Sequence, residues 1–222
     1  MIFLLTNDDG YNSKKLRYTR DILEEFGTVY TVAPKEEQSA KGMSLTIGGF
    51  EFEKVDDFNY MIKGTPVDCV TFAYAALKIK PDIVVSGTNN GYNIGIDNRY
   101  SGTVGACLQA QYLGFPSIAL SADWRGDTVL KQELRKTLKY VLDSKLYTKE
   151  YTLNINFPRE QFSISKGIID VKLNHVVYGY NPEIIGNTFK PNRKYISEKD
   201  AIEGTDTWAY LNGYTSISKI KV

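Results

Sequence analysis

The sequence lacks the features of several large classes of protein. Its 222 residues include one histidine and two cysteines, and no apolar run approaches the roughly 18 residues of a membrane span. Basic and acidic residues number 27 and 26, so the formal net charge of +1 provides no positive surface for a nucleic-acid backbone or an anionic membrane. With 42% hydrophobic residues, the composition is that of an ordinary globular protein. Disordered, fibrous and membrane-spanning proteins are excluded, and we expect no stable nucleic-acid or membrane partner.

Motifs of several common enzyme classes are also missing. No GxxxxGKS or GxxxxGKT segment is present, and Gly87, Gly91 and Gly95 do not fit GxGxxG, which argues against a P-loop and a dinucleotide fingerprint. The single histidine, His175, follows the part of the chain that alternates strands and helices. A Ser-His-Asp or Cys-His catalytic group therefore has no base near the sheet edge, and we assign His175 a structural role.

Cysteine usage and the N-terminus indicate a reducing compartment. Cys69 and Cys107 each lie in an apolar, helix-like stretch and form no CxxC pair, as expected of buried reduced thiols. The first residues, MIFLLTNDDG, lack the basic region of a signal peptide and become acidic after seven residues. We expect a cytoplasmic protein.

Short β-rich runs alternate with helical patterns up to Pro158. The predicted strands cover residues 2–5, 28–33, 82–86, 117–121 and 152–157. The predicted helices cover residues 16–26, 65–77, 101–112 and 128–142, with Gly27 and Gly114 as C-terminal stops. A β-rich excursion at residues 44–63 interrupts the alternation. Short connections between such elements predict a Rossmann-like, doubly wound α/β fold, with a mostly parallel sheet and helices on both faces.

The pattern changes after Pro158, so we divide the chain into a catalytic domain, residues 1–158, and a C-terminal segment, residues 159–222. The second part has short strand-like runs separated by glycine and proline, and no helix with a clear apolar stripe. About sixty residues of this kind cannot build a large core alone, so we expect a β-hairpin extension that serves oligomerisation. Its tyrosines are assigned to strand packing or a subunit interface rather than to stacking on bases: Tyr178, Tyr180, Tyr195 and Tyr210.

Three polar clusters follow predicted strands, at the edge where open parallel sheets bind their ligands. They cover residues 7–10, 38–40 and 86–91. Asp8 and Asp9 are adjacent carboxylates, which repel each other unless a proton or a cation lies between them, and their oxygens suit Mg²⁺ or Mn²⁺. A lone Asp-Asp pair is more often a turn that caps a strand, but three converging clusters favour a metal site.

A fourth element is the helix start at residues 100–105, with the sequence YSGTVG. Ser101 is a candidate N-cap, and Gly102 lets a ligand approach the amides of the first turn, where the helix dipole favours an anion. For these two residues alone, ordinary capping is the better interpretation. Beside a metal on oxygen ligands, the combination predicts a phosphate group between cation and helix, which is the chemistry of a phosphoester hydrolase.

Motifs along nearly the whole chain resemble those of the SurE family. They include IFLLTNDDG near the N-terminus, APKEEQSA after the second predicted strand, GTPVDCV at residues 64–70 and VSGTNNGYNIGIDNRYSGTVGA at residues 85–106. GFPSIALS, the strand at residues 154–158 and GYTSI at residues 213–217 also agree. The family comprises metal-dependent 5′(3′)-nucleotidases, so the resemblance implies hydrolysis of nucleoside 5′- and 3′-monophosphates to nucleoside and phosphate.

The resemblance also implies a set of site residues and a cofactor. One divalent ion per subunit, Mg²⁺ or Mn²⁺, is expected on four oxygen ligands: Asp8, Asp9, Ser39 and Asn89. Asp8 and Asp9 are also the expected catalytic residues, and either a water or an aspartate remains open as the nucleophile. Residues expected to bind the phosphate or line the substrate pocket are Asn7, Asn93, Asp97, Ser101, Gly102 and Thr103. Family members exchange their C-terminal hairpins between subunits, which implies a homodimer or a homotetramer.

The chain departs from the family pattern in two places. Ala40 stands where the family usually has glycine, and its methyl group is expected to exclude a positive φ and to shift the loop. The C-terminal segment is short, and Ser218-Lys219 replaces the usual Thr-Pro. Two alternatives remain open: a broad phosphomonoesterase or exopolyphosphatase, which needs the same site without a base pocket, and a nucleotide-binding module without turnover, to which Ala40 lends weight.

Overall fold

Strands and helices alternate along the first 158 residues of the computed structural model, which describes residues 1–176, 179–194, 197, 199 and 201–221. The strands are β1 (Ile2–Thr6), β2 (Thr28–Pro34), β3 (Phe52–Lys54), β4 (Asn59–Ile62), β5 (Ile83–Asn90), β6 (Ser117–Ala122), β7 (Thr152–Asn156), β8 (Ile168–Asp170), β9 (Glu183–Ile185), β10 (Thr188–Lys190) and β11 (Thr215–Ile220). The helices are α1 (Lys14–Glu24), α2 (Pro66–Ala75), α3 (Gly102–Tyr112), α4 (Thr128–Asp143) and α5 (Asp206–Asn212). Short 3₁₀ turns are formed by Gly95–Arg99 and Glu160–Phe162.

One mixed sheet runs through the molecule in the order β3-β4-β2-β1-β5-β6-β7-β11-β8, and β9 pairs with β10 in a separate hairpin. From β4 to β7 all neighbouring strands are parallel, whereas β3 on β4 and β11 on β7 are antiparallel. The chain leaves β1 towards β2 and returns to β5 on the other side, so the strand order reverses between β1 and β5. This reversal is the switch point beside which open α/β sheets bind ligands. The predicted doubly wound fold is confirmed.

Helices cover both faces of the sheet, because the side chains of each strand alternate between its two sides. Phe3 and Leu5 of β1 belong to the core that α1 and α4 complete, for example through Leu23. Leu4 belongs to the opposite core, where α2 and α3 pack and Val70 is fully buried. No helix in the described ranges is long and apolar enough to cross a membrane.

Local sequence sets the ends of the helices. The Thr65 hydroxyl accepts a hydrogen bond from the Asp68 amide at 3.2 Å, and Asp68 Oδ2 accepts one from the Thr65 amide at 2.8 Å, so α2 begins at a capping box. The predicted stop at Gly114 is confirmed by its φ of 83°. Helix α1 ends before Gly27, which is needed for another reason: a Cβ there would lie 2.1 Å from the carbonyl oxygen of Met1.

The C-terminal segment adds strands to the main sheet. β11 pairs with β7, and β8 pairs with β11, while the β9–β10 hairpin stands apart from that sheet. The segment also contains a helix that its pattern does not predict, α5, which Thr205 caps and Gly213 ends in a left-handed conformation. So short a helix carries too few turns for its periodicity to be detected. The domain boundary at residue 158 stays a prediction, and Tyr178 and Tyr195 lie outside the described residues.

Candidate active site

Asp8 lies two residues after the end of β1 and is held by the first turn of α3. Its Oδ1 accepts a hydrogen bond from the Thr103 hydroxyl at 2.6 Å, and its Oδ2 accepts one from the Thr103 amide at 3.1 Å. Both residues are buried, so desolvation raises the pKa of Asp8, while the donors on Thr103 oppose that rise. The carboxylate lies at the positive end of the helix dipole, which favours its charge.

Gly102 permits this contact between strand and helix. A Cβ at Gly102 would lie 3.0 Å from the Asp8 Cβ and 3.1 Å from its Oδ2, so a side chain there would displace the carboxylate. Ser101 caps the helix, because its hydroxyl accepts a hydrogen bond from the Val104 amide at 3.1 Å. Of the residues expected to bind phosphate, Gly102 and Thr103 thus contact Asp8 and Ser101 caps α3, and their role towards a phosphate stays a prediction.

Asp9 follows in the same loop and reaches across to β5. Its Oδ2 accepts a hydrogen bond from the Asn90 amide at 2.9 Å. Burial, and then the charge of Asp8, raise the pKa of Asp9 to about 6. The two neighbouring carboxylates therefore share a poorly solvated position in which they repel each other. A cation beside them would relieve that repulsion, so the chemistry of the pair fits a divalent metal ion.

The loop after β2 brings Ser39 to the same edge of the sheet. The Gln38 amide donates a hydrogen bond to the Asp8 carbonyl at 2.7 Å. The Ser39 side chain is exposed, and its hydroxyl donates to Glu37 Oε1 at 2.8 Å. Ala40 has a φ of 58°, so the expectation that its methyl group excludes a positive φ is wrong. Ala40 is exposed and adopts the left-handed conformation, at a conformational free-energy cost of about 1–2 kcal/mol.

Strand β5 supplies the fourth expected ligand, Asn89. The strand continues to Asn90, further than the sequence predicts, with an irregular register towards β6 just before Asn89. Position 87 has room only for glycine, because a Cβ there would lie 2.3 Å from the carbonyl oxygen of Leu120 in β6. Asn89 donates its Nδ2 to the Gly91 carbonyl at 3.1 Å, which leaves its Oδ1 for a cation.

Carboxylates alone do not complete a metal site at this edge. In the part of the chain that the structure describes, no three histidine, cysteine, aspartate or glutamate side chains gather around one point. The expected set therefore needs its hydroxyl and amide oxygens as well as its two carboxylates: Asp8, Asp9, Ser39 and Asn89. All four residues lie at or beyond the carboxyl ends of β1, β2 and β5, and hard oxygen donors of this kind fit Mg²⁺ or Mn²⁺.

The other predicted substrate residues bond to the surrounding protein. Asn7 is buried and donates its Nδ2 to the Gly10 carbonyl at 2.9 Å, which braces the loop of the two aspartates. Asn93 is also buried, and its Nδ2 donates to a serine hydroxyl of β6 at 2.8 Å. Asp97, in the 3₁₀ turn, forms an ion pair with Arg193. Of these three side chains Asn7 alone bonds within the loop of the two aspartates, and any contact of the three with substrate stays a prediction.

A buried lysine that the sequence does not single out lies at the same edge. Lys15, in the first turn of α1, is 6% exposed. Its ammonium group donates to Asn90 Oδ1 at 2.7 Å and to the Asp123 carbonyl, and lies 3.5 Å from Asp127 Oδ1. Its charge lowers the pKa of Asp9 against the larger, opposite effect of burial. Lys15 is not evident from the sequence because a lysine at a helix start is usually exposed to solvent. Its partners are also far from it in the sequence, so no local pattern indicates them.

Asp9 and Lys15 line an open cavity of about 440 Å³. The loop after β6 forms another part of its wall, with Trp124 and Arg125. A second cavity, of about 680 Å³, is lined by Ser101 together with Arg99, His175 and other residues. Both volumes fall within the range of small-molecule sites, and of these two cavities the first contains an expected metal ligand.

Comparison with known proteins finds relatives over almost the whole chain. Residues 3–178 match the family model described as Survival protein SurE. A protein of Aquifex aeolicus named 5′-nucleotidase SurE is 38% identical over an alignment of 233 positions, gaps included, that covers 98% of this chain and 91% of the relative. A protein of Mannheimia succiniciproducens with the same name is 36% identical, over 100% of this chain and 93% of the relative. The crystal structure of SurE protein from Aquifex aeolicus matches with a TM-score of 0.84 at 34% identity, over 100% of this chain and 93% of that one.

Proposed function

Because this chain belongs to the SurE family, we propose that it is a 5′-nucleotidase that hydrolyses nucleoside 5′-monophosphates, and 3′-monophosphates as well, with a divalent metal ion. The relatives that match along its full length bear the name 5′-nucleotidase SurE, which supports the reaction. One structural observation carries the proposal: Asp8 and Asp9 lie side by side, poorly solvated, at the switch point of the sheet. That position is where an α/β fold binds its ligand, and a cation beside the pair would relieve the repulsion between the two carboxylates.

The proposed metal site holds one Mg²⁺ or Mn²⁺ ion per subunit on Asp8, Asp9, Ser39 and Asn89. When bound, such an ion polarises a phosphate oxygen and lowers the pKa of a water molecule. Thr103 orients the carboxylate of Asp8 through two hydrogen bonds, and the Asn90 amide orients that of Asp9. Ligands fixed in this way do not have to be reorganised when the substrate arrives.

The start of α3 is the proposed stabiliser of negative charge on the phosphate. Ser101, Gly102 and Thr103 place the positive end of the helix dipole beside Asp8, where the charge of the transferred group develops. Asn7, Asn93 and Asp97 keep the adjoining loops in place through the contacts described above. Preorganised dipoles of this kind act most strongly where water is excluded, as at buried Asp8.

In the proposed reaction a water attacks phosphorus while the ester P–O bond breaks, so nucleoside and phosphate are released. Asp8 or Asp9 is the alternative nucleophile, since an aspartate that attacks phosphorus forms an acyl phosphate. Acid quenching during turnover, followed by mass spectrometry of the protein, separates these routes. A phosphorylated aspartate would contradict direct attack by water.

A panel of substrates tests the proposed function. The purified protein is supplied with Mn²⁺ or Mg²⁺ and with adenosine 5′-monophosphate, its 2′-deoxy and 3′-phosphate relatives, an aryl phosphate and short polyphosphate. We expect the highest kcat/KM for nucleoside 5′-monophosphates. Equal or better rates on aryl phosphate or polyphosphate support a broad phosphomonoesterase or exopolyphosphatase. Nucleotide binding without phosphate release supports a binding module.

We also propose that the β9–β10 hairpin joins subunits into a homodimer or homotetramer. Ile184, Ile185 and Phe189 are exposed on this hairpin, and association would cover their apolar surface. Light scattering of the wild type and of an Ile184→Lys, Phe189→Lys double variant tests this role. We expect a lower molar mass for the variant, and an unchanged mass would contradict the role.

A cytoplasmic location is part of the same proposal. Cys69 and Cys107 are both buried free thiols, which supports a reducing compartment. Fractionation of cells that express the chain with a C-terminal tag tests this location, and recovery outside the cytoplasm would contradict it.

A further inference from the structure

We propose that Trp124 and Arg125 form a platform on which the base of the nucleotide stacks. This inference rests on the proposed function, because it locates the nucleoside part of a substrate whose phosphate binds at the proposed metal site of Asp8 and Asp9. The recognised group is a planar nucleobase. The structure assigns it to the loop that connects β6 to α4.

The platform shares a cavity with Asp9, one of the two expected catalytic carboxylates. Asp9 and Trp124 both line the cavity of about 440 Å³, which is large enough for a small ligand. A phosphate bound at the proposed metal site beside Asp9 would leave an attached nucleoside to extend along this cavity. The larger cavity of about 680 Å³ is lined by Ser101 at the start of α3, but by neither aspartate and by neither tryptophan of the chain.

Trp124 keeps a large aromatic surface available. The residue is 48% exposed, although tryptophan is the largest apolar side chain and is usually well buried. The Arg125 guanidinium lies 4.5 Å from the centroid of its ring, and Tyr92 packs against the ring in a T-shaped arrangement with centroids 6.0 Å apart. Aromatic rings and guanidinium planes are the protein groups on which nucleobases stack. An exposed tryptophan beside a phosphate site is therefore suited to a base.

The loop that carries the platform is fixed at both ends. Asp123 is buried and accepts hydrogen bonds from the amides of Arg125 and Glu160, each at 3.0 Å. Glu160 in turn accepts hydrogen bonds from the first two amides of α4, at 3.1 and 3.0 Å. A platform held in place before binding loses little conformational entropy when the base arrives. Trp124 is thus an anchored side chain rather than one on a free loop.

Intrinsic fluorescence tests the stacking directly, because the chain has two tryptophans. The Trp208→Phe variant keeps Trp124 as its reporter, and the matched Trp124→Phe variant keeps Trp208, which stacks on Tyr214. In Mg²⁺, we expect adenosine to quench the emission of the first variant saturably and to leave that of the second unchanged. Ribose 5-phosphate, which has no base, is expected to quench neither. An unchanged Trp124 emission under saturating adenosine would overturn the proposal.

Kinetics test whether the platform serves the substrate. Trp124→Ala is expected to raise KM for adenosine 5′-monophosphate by roughly 5- to 150-fold, with kcat little changed. KM for ribose 5-phosphate should stay the same, and Trp124→Phe should restore most of the loss. Arg125→Lys keeps the positive charge but removes the planar guanidinium group, so KM for adenosine 5′-monophosphate should rise less than in Trp124→Ala. Equal effects on the two substrates, or none on the nucleotide, would overturn the proposal.

The two experiments separate this inference from the proposed function. If the wild type releases phosphate from no nucleotide, the nucleotidase proposal fails. The adenosine titration still decides whether Trp124 binds a base, because it requires no turnover. If nucleotides are hydrolysed but both Trp124 variants behave like the wild type, the nucleotidase stands and the platform is wrong.

Discussion

Thr103 holds both oxygens of the Asp8 carboxylate, with its hydroxyl 2.6 Å from Oδ1 and its amide 3.1 Å from Oδ2. Thr103→Val removes the hydroxyl and keeps the shape and the amide. We expect the free energy of unfolding to fall by about 1–3 kcal/mol, because a buried carboxylate loses a donor. Metal affinity should weaken roughly 10- to 100-fold, because the ligand is less well oriented. Urea denaturation and Mn²⁺ titration measure the two effects.

Thr103→Ser provides the matched control for that variant. It keeps the hydroxyl that Asp8 accepts from and loses only a buried methyl group, so it should lose stability but retain most of the metal affinity. Equal metal affinity in the valine variant and the wild type would show that Thr103 does not position the ligand.

Asp9 makes the metal-free protein sensitive to pH. Burial and the charge of Asp8 raise its pKa from the unfolded value of 3.8 to about 6, so the folded state binds a proton more tightly than the unfolded chain does. The protonated Asp9 carboxyl therefore adds to the free energy of unfolding near about pH 4, and this contribution is lost as the pH rises through about 6. Metal binding requires the ionised carboxylate, so metal affinity should fall as the pH drops below about 6.

The Asp9→Asn variant removes this ionisation. In excess chelator we expect it to equal the wild type near about pH 4 and to be more stable by roughly 1–2 kcal/mol near neutral pH. Saturating Mg²⁺ should make the wild type the more stable of the two, because only the wild type keeps both carboxylate ligands and binds the ion tightly. Thermal or urea unfolding at several pH values measures the difference. A difference that does not change with pH would contradict the raised pKa.

Ala40 adopts a φ of 58° in the loop beside Ser39. Ala40→Gly removes the steric cost of that conformation, so we expect a gain of about 0.5–1 kcal/mol in stability and no loss of phosphate release. Gly42→Ala is the reverse substitution at a similar backbone angle, a φ of 55°, and it should lower the stability of the protein by a similar amount. Lower stability of the Ala40→Gly variant would mean that the loop adopts another conformation.

Lys15 links α1 to β5 and to the loop after β6. Lys15→Met leaves Asn90 Oδ1 and the Asp123 carbonyl without this donor. We therefore expect the free energy of unfolding to fall by about 1–3 kcal/mol. Lys14→Met is the control, because Lys14 is its exposed neighbour and should change stability by less than about 0.5 kcal/mol. Similar stabilities of the two variants in a urea titration would show that the buried ammonium is not a structural link.

The main elements of the fold can be predicted because they depend on short-range patterns. The strand β1 and the helix start at Thr65 are both predicted from the sequence and present in the structure. The extra length of β5 is not evident, because its polar residues after Ser86 resemble a loop and are held in the sheet by β6. Tertiary pairing, rather than local propensity, decides such a stretch.

The candidate site divides in the same way. Asp8 and Asp9 can be identified because adjacent acids at a strand end are conspicuous, and the sheet order brings them beside Asn89 and α3. Lys15 and Trp124 are missed because each is an ordinary residue in its own segment. Their importance comes from the cavity that they share with Asp9, which forms only when distant parts of the chain meet.

Phosphate release from adenosine 5′-monophosphate, with and without chelator, tests most directly the claim that Asp8 and Asp9 form a metal-dependent nucleotidase site. We predict release in Mn²⁺ or Mg²⁺, loss of release in excess chelator and recovery when metal is returned. Asp9→Ala should release no phosphate at saturating metal while it keeps the circular dichroism of the wild type. Release that persists in chelator, or at a near-normal rate in Asp9→Ala, would contradict the account.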